Sequence, residues 1–238
     1  MKSPTSGMKS PTSGMKSPTS GGPPARSGAV KLRHAKKHTG ASQRWLLRQL
    51  NDPYVIAAKA QGFRSRAAFK LIELDEKFHF LKDGARVVDL GAAPGGWTQV
   101  AIKRGAARVV GVDLLPIDPI ERATLLEGDF TADDMPEKLR ALLGGRADVV
   151  LSDMAPNTIG HAATDHLRIV ALAELALHFA VEVLEEGGVF VAKLFQGGAE
   201  RGLLEPMKRH FAEVRHAKPP ASRKESSELY VVAKGFRR

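Results

Sequence analysis

The chain has 238 residues, no cysteine and a formal net charge of +10. A length of this order holds one sizeable domain with a real core plus a tail. The lack of cysteine excludes disulfides and thiolate metal sites, and it fits a reducing, cytoplasmic compartment. The charge is unevenly placed: residues 1–66 hold 13 Lys or Arg against one acid, Asp52, whereas the remainder holds 23 basic and 25 acidic residues. A cationic arm on a nearly neutral body points to a polyanionic partner, nucleic acid above all, with a merely solubilising tail as the alternative.

In chain order, residues 1–40 read as a disordered basic tail. "MKSPTSG" occurs three times, from residues 1, 8 and 15. The seven-residue period lacks an apolar seam, and each unit carries Pro and Gly, so no coiled coil is expected and no function is assigned. No apolar segment follows the first charged residues, so no secretory leader is expected. Residues 41–66 read as a basic helical extension and an RNA contact, with Trp45, Leu46 and Leu50 as a short apolar face among arginines. A helix over about 65–78 brings Ala68, Leu71, Ile72 and Phe78 toward a core.

Residues 67–238 read as the main domain. The segments "ARVVDL", "ARVVGVDL", "TLLEGDF", "ADVVLSDM", "GGVFVAKLF" and "ELYVVAKG" read as strands. Helical patterns separate most of them, including a long one near 164–185 and "GLLEPMKRHF". The run "IVALAELALHFAVEVL" is broken by Glu174, His178 and Glu182, which makes it amphipathic, too short and too charged to span a bilayer. Alternating strands and helices predict an α/β fold with a mainly parallel sheet covered on both faces. Ligands of such sheets bind beyond the carboxyl ends of the strands.

The informative residues sit at those ends. "RVVDL" runs into the glycine-rich turn "GAAPGGW" and then a helix, so backbone can approach a ligand closely. Pro94 removes an N–H donor, and the spacing is not G-x-G-x-x-G, which argues against a pyrophosphate site. Asp113 ends the second strand, where a carboxylate accepts hydrogen bonds from ribose hydroxyls. Asp129 and Asp153 end the third and fourth. One acid could be an innocent strand-end residue; three flanking a glycine turn describe a nucleoside-containing ligand with a cationic portion, the description of S-adenosylmethionine. Lys193 poses a separate question. It interrupts the buried run Val189–Phe195, where a lysine either snorkels to solvent or serves chemistry.

"SRAAFKL", "DLGAAPGGWTQVA", "DLLPIDPI", "GDF", "SDMAPN", "KLFQGG" and "LYVVAKG" occur in that order across nearly the whole folded chain. Together they resemble the FtsJ family of ribosomal RNA ribose 2′-O-methyltransferases (large-subunit methyltransferase E). The resemblance implies a Rossmann-like, S-adenosylmethionine-dependent methyltransferase fold. It also implies a Lys-Asp-Lys-Glu tetrad, matched here by Lys70, Asp153, Lys193 and Glu228, and a cofactor pocket lined by Gly95, Trp97, Asp113, Asp129 and Asp153. The implied reaction is methylation of the A-loop uridine of 23S rRNA in the assembled 50S subunit. Lys193 would act as general base with Lys70 as the nearby cation, or, in a weaker version, as a cation that positions the hydroxyl.

Because the cofactor carries the methyl group, and no histidine spacing is tied to an acid, no metal is expected. A cytoplasmic monomer working on the large ribosomal subunit, away from membranes, completes the expectation. Transfer-RNA or messenger-cap ribose stays open as the substrate, as does a ribosome-assembly factor whose RNA binding matters more than its methylation. A nicotinamide-dependent oxidoreductase is disfavoured by the "GAAPGG" turn.

Overall fold

The computed structural model describes residues 39, 42, 43, 47, 49–156, 160–196 and 201–238. The MKSPTSG repeats, the rest of the expected tail but for Thr39, Trp45 and Leu46 lie outside the described residues, as do Asn157, Gly197 and Gly198 of the quoted motifs.

Apolar runs bounded by glycine become strands wherever both sheet faces are covered. The chain runs through α1 (Pro53–Ala60), α2 (Ala67–Phe78), β1 (Arg86–Leu90), α3 (Gly96–Lys103), β2 (Arg108–Asp113), β3 (Ala123–Glu127) and α4 (Met135–Leu143). It continues through β4 (Ala147–Ser152), α5 (Ala162–Val183), β5 (Leu184–Phe195), α6 (Arg201–His210), β6 (Phe211–Ala217) and β7 (Glu228–Phe236). The seven strands form one sheet in the order β3-β2-β1-β4-β5-β7-β6. Pairings β1–β2, β1–β4, β2–β3 and β4–β5 are parallel, whereas β5–β7 and β6–β7 are antiparallel. The sheet is therefore mixed, parallel in its larger part.

Residue alternation sends side chains to two cores. Val88, Val150, Phe190 and Ala192 pack on the face that carries Leu139 of α4, Leu177 and Phe179 of α5, and Met207 of α6. Val87, Val149, Leu151, Val191 and Tyr230 pack on the other, with Tyr54 of α1, Leu71 and Leu74 of α2, and Trp97 and Val100 of α3. The period of two therefore places Lys193, two residues after Val191, on the face of α1, α2 and α3.

Sequence reading gives no strand to residues 211–217, yet they form β6. Only Phe211 and Ala217 of this strand are buried, and Glu213, Arg215 and His216 decorate the outer edge of the sheet. An edge strand of this kind carries charge instead of an apolar run, which is how natural sheets discourage edge-to-edge pairing. The strand order reverses between β1 and β4, and that gap at the carboxyl edge is where such sheets seat a ligand. The Asp153 N–H donates to the Leu90 carbonyl at 3.0 Å and ties the two strand ends together.

Candidate active site

Four side chains expected to act together do converge at this edge. On α2, one face of the helix brings Ala68, Leu71 and Leu74 into the core, and Lys70 reaches past them to Glu228, Nζ to Oε2 at 2.8 Å. At the end of β5, Lys193 Nζ lies 3.0 Å from Asp153 Oδ1 and donates to the Asp153 carbonyl at 2.5 Å. The two ion pairs are joined by a residue that sequence reading did not single out, Tyr230. Lys70 Nζ donates to its hydroxyl at 3.2 Å, and the hydroxyl donates to Asp153 Oδ1 at 2.8 Å. A phenol can accept and donate at once, so Glu228, Lys70, Tyr230, Asp153 and Lys193 form one continuous network.

Strand geometry explains the bridge. Tyr230 stands two residues after Glu228 on β7, so the two share a sheet face, and Lys193 is its partner across the antiparallel β5–β7 pair. Alternation in "ELYVVA" could have flagged Tyr230 as a neighbour of Glu228. Its ring lies 5.7 Å from that of Trp97, and the Trp97 indole N–H donates to the Ala67 carbonyl at 2.8 Å.

The electrostatics follow from burial and partners. Burial opposes ionisation of Asp153, but the charges of Lys193 and Lys70 and the hydrogen bonds from Tyr230 and Lys193 outweigh it, holding its carboxyl below the usual range. Tyr230 is pushed well above the ordinary phenol value, by burial first and then by the charges of Asp153 and Glu228, and stays protonated. Asp89, fully buried on β1, accepts from the Thr98 hydroxyl at 2.7 Å. Burial raises its carboxyl to about 7 against that hydrogen bond, with the charges of Asp153 and Asp113 adding to the rise.

A cavity of about 380 Å³ opens beside the network, lined by Gly91, Asp113, Leu114, Asp129, Phe130 and Met154 among others. Asp113 is fixed by backbone N–H groups, Ala93 to Oδ2 and Leu115 to Oδ1, each at 2.9 Å. Asp129 accepts from the N–H and hydroxyl of Thr131 on Oδ1 only, and these bonds, the hydroxyl's first, hold its carboxyl below the usual range. The wall thus combines apolar side chains with two fixed anionic acceptors, suited to the amino group and ribose diol that a nucleoside would donate. Gly91 sits where only glycine fits: its φ is +78°, and a Cβ would lie 2.8 Å from the Met154 nitrogen.

The other expected pocket residues take different places. Trp97 is buried beneath Tyr230 and is not in the cavity wall. At Gly95 (φ +109°) an added Cβ would meet Ile120 and Arg64, so its close approach is to the chain itself. The Asp153 carboxylate faces Lys193 and Tyr230, while its neighbour Met154 lines the cavity. Among the described residues, no group of three or more His, Cys, Asp and Glu could hold a metal ion, and no helix is long and apolar enough to cross a membrane.

A model of the FtsJ-like methyltransferase family matches residues 63–236. Ribosomal RNA large subunit methyltransferase E of Granulibacter bethesdensis is 73% identical over 212 residues, covering 89% of this chain and 92% of that protein. Its namesake in Acidiphilium cryptum is 69% identical over 212 residues, covering 89% and 94%. A crystal structure from Plasmodium falciparum, described as a ribosomal RNA methyltransferase, superposes with a TM-score of 0.66 at 34% identity and covers 73% of this chain and 98% of its own.

Proposed function

The chain belongs to the FtsJ-like methyltransferase family, and from that premise we propose that it methylates a ribose 2′-hydroxyl of large-subunit ribosomal RNA, using S-adenosylmethionine, in the cytoplasm. The target in this reading is the A-loop uridine of 23S rRNA in the assembled 50S subunit. The observation that carries it is the unbroken Glu228-Lys70-Tyr230-Asp153-Lys193 network beside a nucleoside-sized cavity.

Asp113 would hold the ribose diol of the cofactor and Asp129 its adenine amino group, with Phe130, Met154 and Leu114 supplying apolar walls. When bound, S-adenosylmethionine supplies an electrophilic methyl on a sulfonium. Transfer forms the O–CH3 bond, breaks the S–CH3 bond and leaves the electron pair on a neutral thioether. The hydroxyl proton must leave as attack develops, and Lys193 is placed to take it. Nζ has three directions for hydrogen or lone pair, and the Asp153 carboxylate and carbonyl occupy two of them. In the neutral amine both hydrogens then point at Asp153, leaving the lone pair for the substrate hydroxyl. Lys70, held by Glu228 and Tyr230, supplies the nearby cation of the tetrad. The basic arm that precedes residue 67 supplies phosphate contacts that grip RNA without reading sequence.

The test incubates the protein with methyl-labelled S-adenosylmethionine and large subunits lacking native ribose methylation, then maps the labelled nucleotide. Label on a single A-loop ribose is the expected result. Lys193→Ala should lower kcat by about 10²–10⁴-fold, the range for losing a positioned base. Undiminished label with that variant would remove Lys193 from the role of base, and label confined to other RNAs would overturn the substrate. Full rescue of subunit assembly by the same variant would favour an assembly factor.

A further inference from the structure

A second cavity, of about 430 Å³, opens against the tetrad and is lined by Arg66, Lys70, Arg223, Glu225, Ser226 and Glu228. Every residue that lines it is charged or a serine, and none carries an aromatic ring. An unstacked base needs a π-face or apolar surface to lie on, whereas this wall suits a phosphate.

The charges here are unequally committed. Lys70 is engaged by Glu228, and Arg66 Nε lies 3.0 Å from Asp52 as an ion pair without hydrogen-bond geometry, while its Nη2 donates to the Ala221 carbonyl at 2.7 Å. Arg223 approaches the same aspartate only to 3.7 Å, longer than a hydrogen bond. Its Nε is shielded from solvent and has no hydrogen-bond partner among the described residues. A shielded guanidinium donor without a partner, on the wall of a polar cavity, is costly unless a ligand supplies the acceptor.

The segment that carries Arg223 is held ready. Glu73 Oε2 accepts from the Ala221 N–H at 2.6 Å, and Glu73 Oε1 accepts from the Tyr54 hydroxyl at 2.9 Å. Lys218 Nζ donates to the Ser226 carbonyl at 2.5 Å, and turns close from Ser222 to Pro219 at 2.8 Å and from Ser226 to Arg223 at 3.0 Å. Asp52 also accepts the Tyr54 N–H at 3.0 Å at the start of α1. Arg66 and Arg223 are thus anchored from α1, α2 and the β6–β7 connection together, so a ligand meets a preorganised pair.

The geometry points to a binding site for a backbone phosphate of the RNA strand, adjacent to the acceptor ribose, with Arg223 as its principal donor and Arg66 as the second. This rests on the RNA-ribose reading above. Every internal ribose is flanked by phosphates, and a cavity that shares Lys70 and Glu228 with the tetrad receives the group next to the hydroxyl being methylated. Arginine's planar fork matches phosphate oxygens, and such charge-assisted bonds are the strong ones.

Arg223→Ala, Arg223→Gln and Arg223→Lys test it with two readouts, methyl transfer to under-methylated large subunits and binding of a fluorescent single-stranded RNA across a salt series. Loss of one charge-assisted hydrogen bond should raise the KM for RNA by about 10- to 100-fold in the Ala and Gln variants. Their kcat should stay within about twofold of the parent, and the slope of log affinity against log salt should shrink by about 0.7. Arg223→Lys should recover the slope, and S-adenosylmethionine affinity by calorimetry should be unchanged in all three. An unchanged KM and salt slope in Arg223→Ala and Arg223→Gln would overturn the site, as would a parallel loss of cofactor affinity. If the parent methylated no RNA, the ribose reading would fall, and the salt slopes would still decide the phosphate site.

Discussion

Asp89 is the side chain whose titration reports most directly on this edge of the sheet. It is fully buried, and its carboxyl is raised to about 7. In the unfolded chain an aspartate ionises near 4. Across the window from about pH 4 to 7 the native state keeps a proton that the unfolded state has lost, so stability contributed by Asp89 falls as pH rises and levels off above 7. A shift of about three units corresponds to a change on the order of 4 kcal/mol over that window. Asp89→Asn should flatten this part of the pH dependence, read as the difference in urea midpoints between the two proteins at several pH values. An unchanged slope would mean that Asp89 is ionised in the native state throughout. The neighbouring network behaves oppositely. Asp153 is held below the usual range by Lys193 and Lys70, so its contribution is present above the unfolded value and disappears as acid protonates it.

The element that most constrains the cavity is the turn leaving β1. Gly91 adopts a φ of +78°, its N–H donates to the Val112 carbonyl at 2.9 Å, and Met154 presses against the position of a Cβ. The ends of β1, β2 and β4 therefore meet at one residue without a side chain. Gly91→Ala should cost about 1–3 kcal/mol from the backbone conformation alone, and more from displacing the Met154 backbone. Because Met154 also lines the cavity, cofactor affinity should fall along with the thermal midpoint, measured by calorimetry and by thermal melts. Retention of full cofactor affinity in a destabilised variant would separate the turn from the site. The antiparallel pairing of β5 and β7 is the second decisive element, since it places Tyr230 opposite Lys193 and Glu228 opposite Phe195.

For the molecule as a whole, the net positive charge and the network of Lys70, Asp153, Lys193 and Glu228 occupy different parts of the chain. Residues 1–66 carry 13 basic residues and one acid, whereas the rest carries two more acids than bases. On the function proposed above, a cationic segment of this kind would raise the local concentration of RNA and make binding salt-dependent. Replacing Lys31, Arg33, Lys36 and Lys37 with glutamine should reduce the salt slope of RNA affinity by up to about 0.7 for each charge removed. The kcat at saturating RNA should not change, because the tetrad lies beyond this segment. Filter binding over a salt series, with steady-state kinetics in parallel, checks both. A fall in kcat with an unchanged slope would place these lysines and arginine in catalysis instead of capture.

Much of this was legible in the linear order of residues. Parallel strands all end at one edge, so Asp113 and Asp153 had to gather there once "RVVDL", "VVGVDL" and "VVLSDM" read as strands, and Asp129 joined them after the less buried "TLLEGDF". The apolar runs of the first three are buried on both faces and hard to mistake. The motifs matching Lys70, Asp153, Lys193 and Glu228 marked the residues that the fold then brings within hydrogen-bonding reach. β6 escaped because an edge strand satisfies half of its backbone against solvent and needs no apolar run. Tyr230, the inward turn of Trp97 and the convergence of Arg66 and Arg223 on Asp52 depended on the three-dimensional arrangement. A period of two fixes which face a side chain takes. Which neighbour it meets there is set by strand register and helix docking between segments more than a hundred residues apart in places, such as Lys70 and Tyr230.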